Sequence, residues 1–261
     1  MNPDIIQQAR NNTPLIHHLT NQVVMNFSAN GLLAFGGSPV MAKEMREVAD
    51  MAKIADALVL NIGTILENEV TAMIVAGKAA NEKGIPIVLD PVGVAATSFR
   101  KDMIEKILQE VHPTVIKGNA GEIASLVETD IQTRGVDSVG EGNVDKVAEK
   151  AGKEFETAIV ITGKTDVIYA DQKLIYNQTG HPLLASITGS GCLLGSIVAA
   201  CLTTSYPISE QLRSALSFYG LAAERAAEQP YVHGPGTFLP HFLDALSFAP
   251  KQLNGGIKDD I

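Results

Sequence analysis

The sequence predicts an α/β protein, built as a three-layer sandwich around a mostly parallel central sheet. Short β-branched apolar runs alternate with longer segments whose apolar residues recur at helical spacing. The apolar runs are residues 57–62, 85–89, 114–116 and 158–161, and the helical segments are residues 67–83, 100–111 and 143–155. Runs that are apolar throughout are typical of strands buried on both faces. Their alternation with helices indicates βαβ units with right-handed crossovers.

Other segments extend this architecture. Residues 166–170 and 174–177 flank Asp171-Gln172-Lys173 and predict an antiparallel hairpin at one edge of the sheet. Helical patterns follow at residues 191–202, 209–228 and 239–246. Thr20-Asn21 resembles the N-cap of a helix that runs through Phe27.

The chain is predicted to form a single domain. Its 261 residues suit one large α/β unit, and no linker rich in Pro, Gly or Ser divides them. Residues 135–142 are the most loop-like interior segment, and residues 251–261 resemble a frayed tail.

Composition excludes several classes of function. The 20 Lys and Arg against 29 Asp and Glu give a net charge of −9, which argues against a general nucleic-acid binder. The two cysteines, Cys192 and Cys201, are too few for a disulfide framework or a zinc site. The longest small-apolar stretch is far shorter than the roughly 18 residues of a membrane span, and no signal-peptide core is apparent. We therefore expect a cytoplasmic protein that binds neither nucleic acid nor membrane.

Polar or glycine-rich residues follow every predicted strand. Ligands of open α/β sheets bind beyond the carboxyl ends of the strands, so these five segments are the candidate site. They are residues 61–64, 90–92, 117–122, 162–164 and 188–192. Their coincidence is stronger evidence than any one of them.

The segment 188–192 is the most informative of the five. Gly189 and Gly191 remove side chains where the backbone turns into an apolar helix. The amide groups at such a helix N-terminus form a site for a phosphoryl group, and their field favours the thiolate of Cys192. The alternative is a glycine loop that eases packing, with Cys192 as a small buried residue.

Asp90 and Glu122 are candidate Mg²⁺ ligands, directly or through water, because magnesium bound with a nucleotide takes one or two carboxylates. Each has a structural alternative: Asp90 could cap a turn, and Glu122 could form a capping box with Asn119. Lys117 could balance phosphate charge or simply be solvated. His17 and His18 have no ligand partner at metal spacing and are predicted to be structural.

Ordered motifs from Pro14 to about Leu246 resemble the hydroxyethylthiazole kinase family, a thiamine-salvage branch of the ribokinase-like superfamily. The matching segments are Leu19-Thr20-Asn21 with Val23-Val24 and Asn26-Phe27, Ser38-Pro39-Val40-Met41-Ala42, Asn61-Ile62-Gly63-Thr64, Leu89-Asp90-Pro91-Val92-Gly93, Gly118-Asn119-Ala120 with Glu122-Ile123, Ile161-Thr162-Gly163, Thr188-Gly189-Ser190-Gly191-Cys192 and Gly234-Pro235-Gly236.

This resemblance implies ATP- and Mg²⁺-dependent phosphorylation of the primary alcohol of 4-methyl-5-(2-hydroxyethyl)thiazole. It implies that Met41, Gly189, Asn21 and Gly63 contact or line the thiazole pocket, that Lys117, Thr162 and Asn119 serve ATP, and that Asp90 and Glu122 organise magnesium and phosphate. It also implies that Cys192 stands where most ribokinase-like enzymes carry an Asp base. The residues themselves predict that Gly189 and Gly191 form the anion hole, because they let the backbone approach the phosphoryl group.

The resemblance also implies a homotrimer with sites between subunits. One departure matters: the family often has Arg where this chain has Lys117, and Lys lacks the bidentate fork. The alternatives are a hydroxymethylpyrimidine or pyridoxal kinase, a nucleotide-dependent dehydratase of hydrated NAD(P)H, and a non-catalytic sensor. An Asp in the glycine loop would favour the other kinases and the dehydratase.

Overall fold

A central sheet of eight strands organises the structure, a computed structural model that describes residues 1–127 and 141–254. The strands are β1 Leu15–Leu19, β2 Ser38–Val40, β3 Ala57–Asn61, β4 Ile87–Asp90, β5 Val115–Asn119, β6 Ala158–Thr162, β7 Asp166–Ala170 and β8 Lys173–Asn177. Their order across the sheet is β2-β1-β3-β4-β5-β6-β7-β8. The first six strands in this order are parallel, and β7 and β8 add an antiparallel edge. The predicted parallel sheet and edge hairpin are confirmed.

Helices cover both faces of the sheet. They are α1 Pro3–Asn12, α2 Met25–Phe35, α3 Val48–Ile54, α4 Glu67–Lys83, α5 Ser98–Leu108, α6 Ala120–Leu126, α7 Glu141–Glu154, α8 Ser190–Leu202, α9 Ile208–Ala227, α10 Pro235–Leu246 and α11 Pro250–Asn254. Among the described residues, one apolar cluster packs six helices against one face of the sheet: α1, α2, α8, α9, α10 and α11. A second cluster packs the other five described helices against the opposite face: α3, α4, α5, α6 and α7. The predicted three-layer sandwich is therefore confirmed.

Alternating residues of the central strands feed these two clusters. In β3, Ala57 and Val59 belong to the cluster under α8, whereas Leu58 and Leu60 belong to the cluster under α4. A strand that is buried on both faces rarely carries a polar residue without a partner, which explains why most of each central strand is an apolar run.

Several predicted boundaries are wrong. Helix α2 begins at Met25, and the Asn21 side chain accepts from the Val24 amide in the turn that precedes it. Strand β5 continues to Asn119 because Lys117 and Gly118 still pair with β6. The predicted loop at residues 135–142 has its last two residues, 141–142, in α7, and the predicted tail at residues 251–261 has residues 251–254 in α11. The other residues of both segments lie outside the described part of the chain.

The sequence patterns gave no sign of α1, α3, β1 or β2. In the described ranges, no helix is long and apolar enough to cross a membrane.

The strand order creates a crevice at the carboxyl edge. The chain passes from β1 to β2 on one side and then crosses to β3 on the other, so the connections leave β1 and β3 in opposite directions. Such a switch point is where open α/β sheets bind ligands. Asn21 lies just past the end of β1, and Asn61 is the last residue of β3.

Candidate active site

The N-terminus of α8 lies over the carboxyl edge of the sheet and depends on Gly189. This residue precedes the helix with φ +86°, and a Cβ atom there would lie 2.6 Å from Cγ1 of Val24. No side chain caps α8. Tyr219 donates its hydroxyl to the Ser190 carbonyl over 2.6 Å, and Ser190 donates its own hydroxyl to Leu184 over 2.8 Å. The first turn of the helix is thus fixed in place while its N-terminus stays without a side-chain cap.

Cys192 is half-buried in that first turn and contacts two amide side chains. Asn61 donates from Nδ2 to Sγ over 3.2 Å, and Nδ2 of Asn21 lies 4.0 Å from the same sulfur. Burial and the charge of Asp90 raise the pKa of the Cys192 thiol to about 11, against the opposing effects of Lys117 and the two amides. Desolvation is the largest of these effects, and it opposes the field of the helix terminus, which favours the thiolate.

Asp90 and Lys117 form a buried ion pair. Lys117 Nζ lies 3.4 Å from Asp90 Oδ2, and both side chains are 3% exposed. Burial alone would lower the pKa of Lys117, but the charges of Asp90, Cys192 and Glu122 raise it above its ordinary value. Lys117 is therefore a buried ammonium, and the interpretation as a solvated lysine is wrong.

Two glycines of α8 leave room for this lysine. A Cβ atom on Gly191 would lie 3.8 Å from Lys117 Nζ, and one on Gly195 would lie 3.8 Å from Lys117 Cε. The Lys117 side chain thus runs beneath the first two turns of α8. Its positive charge adds to the field of the helix N-terminus.

Glu122 is held by backbone amides at the start of α6. Its Oε2 accepts from the Asn119 amide and its Oε1 from the Gly93 amide, each over 2.8 Å, while Asn119 Oδ1 accepts from the Glu122 amide. The predicted capping box is confirmed. Burial raises the pKa of Glu122, and the two amide hydrogen bonds oppose that rise.

The remaining predicted residues lie along the same edge. Gly63 sits tightly against Asn21, since a Cβ atom there would be 2.4 Å from Asn21 Nδ2. Thr162 ends β6, and Met41 follows β2 and is half-buried. Among the described residues, hydrogen bonds connect Asn21, Asn61, Asp90 and Cys192, but none reaches from Met41, Thr162 or Glu122 to Cys192.

Two contributors to the site were not identified from sequence. In the sequence Asn61 is one member of a polar strand end, whereas in the structure it connects three site residues. Arg100 of α5 donates to the carbonyls of Val92 and Gly63, and so ties together the loops that follow β4 and β3. The position of Asn61 beside the switch point could have singled it out, whereas nothing in the local sequence marks Arg100.

His17 and His18 have structural roles, as expected. His18 is buried between the Ile16 carbonyl and the Ser196 hydroxyl, at 2.9 Å from each. His17 Nε2 lies 2.8 Å from the Ala42 carbonyl, in the segment that follows β2. In the part of the chain that the structure describes, no group of three or more His, Cys, Asp or Glu side chains forms a metal cluster.

Comparison with known structures first defines the class. A ribokinase-like superfamily protein from Enterococcus faecalis V583 superposes with a TM-score of 0.66 at 14% identity, covering 94% of this chain and 94% of that chain. This likeness concerns the fold alone. The fold of this chain is therefore that of the ribokinase-like α/β proteins.

Closer relatives then define the family. Residues 6–252 match the hydroxyethylthiazole kinase family. Hydroxyethylthiazole kinase 1 of Oceanobacillus iheyensis is 61% identical over 256 residues, covering 98% of this chain and 100% of that protein. The structure of a hydroxyethylthiazole kinase protein from Pyrococcus horikoshii OT3 superposes with a TM-score of 0.84 at 38% identity, covering 94% of this chain and 91% of that one. The chain belongs to the hydroxyethylthiazole kinase family, and the resemblance found in its motifs is confirmed.

Proposed function

We propose that this protein transfers the γ-phosphoryl group of ATP to the primary alcohol of 4-methyl-5-(2-hydroxyethyl)thiazole, in thiamine biosynthesis or salvage. The observation that carries the proposal is the uncapped N-terminus of α8, which faces Asn61, Asp90 and Lys117 in a member of this family. Such an arrangement is suited to an anionic group in transfer, because amide dipoles and a buried ammonium act there in a low-dielectric setting.

The reaction needs positioning and charge stabilisation more than strong base catalysis. The alcohol oxygen forms a bond to the γ-phosphorus as the bond to the bridging β–γ oxygen breaks, and ADP leaves. In a loose transition state the alcohol needs only modest help in losing its proton. We assign the anion hole to the backbone at Gly189 and Gly191, where absent side chains let a phosphoryl group approach.

Cys192 serves in this proposal as a weak base and an orienting group. Its pKa of about 11 leaves the thiol protonated at neutral pH, so only a minor thiolate fraction can accept the proton of the alcohol. The proton therefore leaves late, when the new bond to phosphorus has largely formed. An Asp at this position would be more fully ionised.

Asp90 and Glu122 would hold Mg²⁺, directly or through water. Their carboxylate oxygens suit a hard cation, and the pairing of only two acidic side chains suits a magnesium that keeps several waters and binds substrate phosphates. Each Glu122 oxygen already accepts one backbone amide and retains further lone-pair capacity. Bound there, the cation would neutralise phosphate charge. The positive charge of Lys117 balances the negative charge of the buried Asp90 carboxylate.

The substrate assignments rest on the family motifs and on the shared edge. We assign Met41, Asn21, Gly63 and Gly189 to the thiazole pocket, and Lys117, Thr162 and Asn119 to ATP. Lys117 would act as a point charge on phosphate from beneath α8, without the bidentate geometry of an arginine. A homotrimer with sites between subunits, and a cytoplasmic location, complete the proposal.

A substrate panel tests this function. The purified protein is incubated with ATP, Mg²⁺ and, separately, the thiazole alcohol, hydroxymethylpyrimidine, pyridoxal and hydrated NADH, and ADP release is followed with mass detection of each product. We expect a phosphate monoester of the thiazole alcohol and much slower turnover of the others. Preferential phosphorylation of either alternative alcohol, or dehydration of hydrated NADH with no thiazole phosphate, would contradict the proposal.

A further inference from the structure

Asn61 lies at the centre of a closed hydrogen-bond network beneath α8. It ends β3, pairs in register with Asp90 of β4 and is 2% exposed. Its Nδ2 donates to Asp90 Oδ2 over 2.9 Å and to Cys192 Sγ over 3.2 Å. Its Oδ1 accepts from Asn21 Nδ2 over 2.8 Å and from the Gly63 amide over 3.0 Å. An amide group offers two donor hydrogens and two acceptor lone pairs, and here all four are used.

The orientation of this amide is fixed by its partners. The Gly63 amide can only donate, so it requires the oxygen of Asn61, and the Asp90 carboxylate then receives the nitrogen. Asn21 is fixed in the same way, because its own oxygen accepts from the Val24 amide. Flipping either side chain would set two donors against each other.

Other residue types cannot make the same four contacts. Aspartate has no donor hydrogens, and a serine hydroxyl has only one and is shorter. We propose that Asn61 is a positioning residue for phosphoryl transfer: it holds the Cys192 sulfur and the Asp90 carboxylate at a fixed separation beside the Gly63 loop. The inference rests on the proposed function.

This placement has a chemical consequence for Cys192. Because the sulfur is the acceptor of the Asn61 hydrogen bond, the contact persists whether Cys192 is a thiol or a thiolate. The N–H bond stabilises the thiolate that takes the proton of the alcohol, and the charge on sulfur is neutralised once that proton arrives. Loss of the contact would let the sulfur move, and displacements of about 1 Å at a reacting centre cost on the order of 10²-fold in rate.

Two variants of Asn61 and one matched control test the inference. Asn61→Asp keeps the size of the side chain but removes both donors, whereas Asn61→Ser removes the amide without adding charge. Gln211→Glu is the control, since Gln211 is also a buried amide but donates to Thr204, far along the chain from the site. We expect both Asn61 variants to lose about 10²-fold in kcat with little change in the KM for ATP. The control should keep kcat near the wild-type value once its folded fraction is matched by circular dichroism.

A second readout does not depend on turnover. The rate of iodoacetamide alkylation at Cys192, read by peptide mass spectrometry at one pH, should fall in Asn61→Asp because the donor to sulfur is gone. A folded Asn61→Ser with wild-type kcat, or unchanged alkylation of Cys192 in Asn61→Asp, would overturn the inference. If the wild-type protein forms no thiazole phosphate, the proposed function fails, while the alkylation rate still decides the role of Asn61.

Discussion

Replacing Gly191 with Ala should separate stability from activity. A Cβ atom at this position would have Lys117 Nζ at 3.8 Å as its nearest neighbour, which is ordinary van der Waals contact. Gly191 is exposed and lies in the first turn of α8, where Ala is a better helix former than Gly by up to about 1 kcal/mol. The free energy of unfolding should therefore stay the same or rise.

The activity of this variant should fall steeply. The new methyl group would occupy the space above Lys117 in which the phosphoryl group must approach the backbone. The backbone N–H is still present, but blocking access to it should cost as much as losing an oxyanion-type donor, about 10²–10³ in kcat or roughly 3–4 kcal/mol of barrier, and Gly191→Val should lose at least as much. Stability and reactivity would thus change in opposite directions.

A urea titration and an ADP-release assay measure the two effects. Gly195→Ala is the matched control, since it lies in the same helix and its Cβ atom would also make only ordinary contacts, at 3.8 Å from Lys117 Cε. It should lose much less activity than Gly191→Ala. A folded Gly191→Ala enzyme with near-wild-type kcat would refute the placement of the phosphoryl group at this helix terminus.

Three further predictions concern strain, metal and protonation. Gly189→Ala should destabilise the fold by about 2–5 kcal/mol, the sum of left-handed strain of about 1–2 kcal/mol and overpacking against Val24 of about 1–3 kcal/mol. Gly84→Ala, with φ +77° and no neighbour within 4 Å, should show only the strain of about 1–2 kcal/mol in urea titrations. Equal losses in the two variants would contradict the packing argument. Excess EDTA should abolish activity, and Glu122→Gln should raise the magnesium concentration needed for half-maximal rate; full activity in EDTA would rule out the assigned metal role. Burial lowers the pKa of His18 from 6.5 to about 4, so the free energy of unfolding should fall by up to about 3 kcal/mol as pH falls from 6.5 to 4. In denaturation curves, His18→Gln should lack this pH-dependent loss of stability. Identical pH profiles for the variant and the wild type would disprove the role of His18.

Local sequence signals were sufficient for some elements. Helix α4 has the predicted bounds, Glu67 to Lys83, because its charged ends frame the apolar pattern and Gly84 ends it in a left-handed conformation. The β7–β8 hairpin and the Asn119–Glu122 capping box were also predicted, since both depend on residues close in the chain.

Other elements depend on contacts between distant segments. Strand β1 contains His17 and His18, which interrupt its apolar run. His18 is tolerated in the core because its Nε2 forms a hydrogen bond with the hydroxyl of Ser196 in α8. Lys117 ended the predicted apolar run of β5, although its ion pair with Asp90 lets it lie inside the sandwich. Neither partner can be inferred from local patterns.

The site shows the same division. Its location followed from topology, because carboxyl ends of parallel strands meet at one edge. Its internal contacts did not follow: Asn61 and Cys192 are 131 residues apart, and their contact depends on how α8 packs over β3. The sequence indicated the helix terminus that would favour a thiolate, but not the burial and the Asp90 charge that raise the pKa of Cys192.

The most direct test of transfer at the N-terminus of α8 is kcat for wild type, Cys192→Asp and Cys192→Ala across pH 6–9, with folding checked by thermal melts. Cys192→Ala should lose about 10–10³-fold, at or below the usual contribution of a general base. Cys192→Asp should keep or exceed wild-type kcat, and its rate should depend less on pH, because a carboxylate is ionised where the thiol is not. A folded Cys192→Asp enzyme that binds ATP normally and is as inactive as Cys192→Ala would contradict the account and leave Cys192 a packing residue.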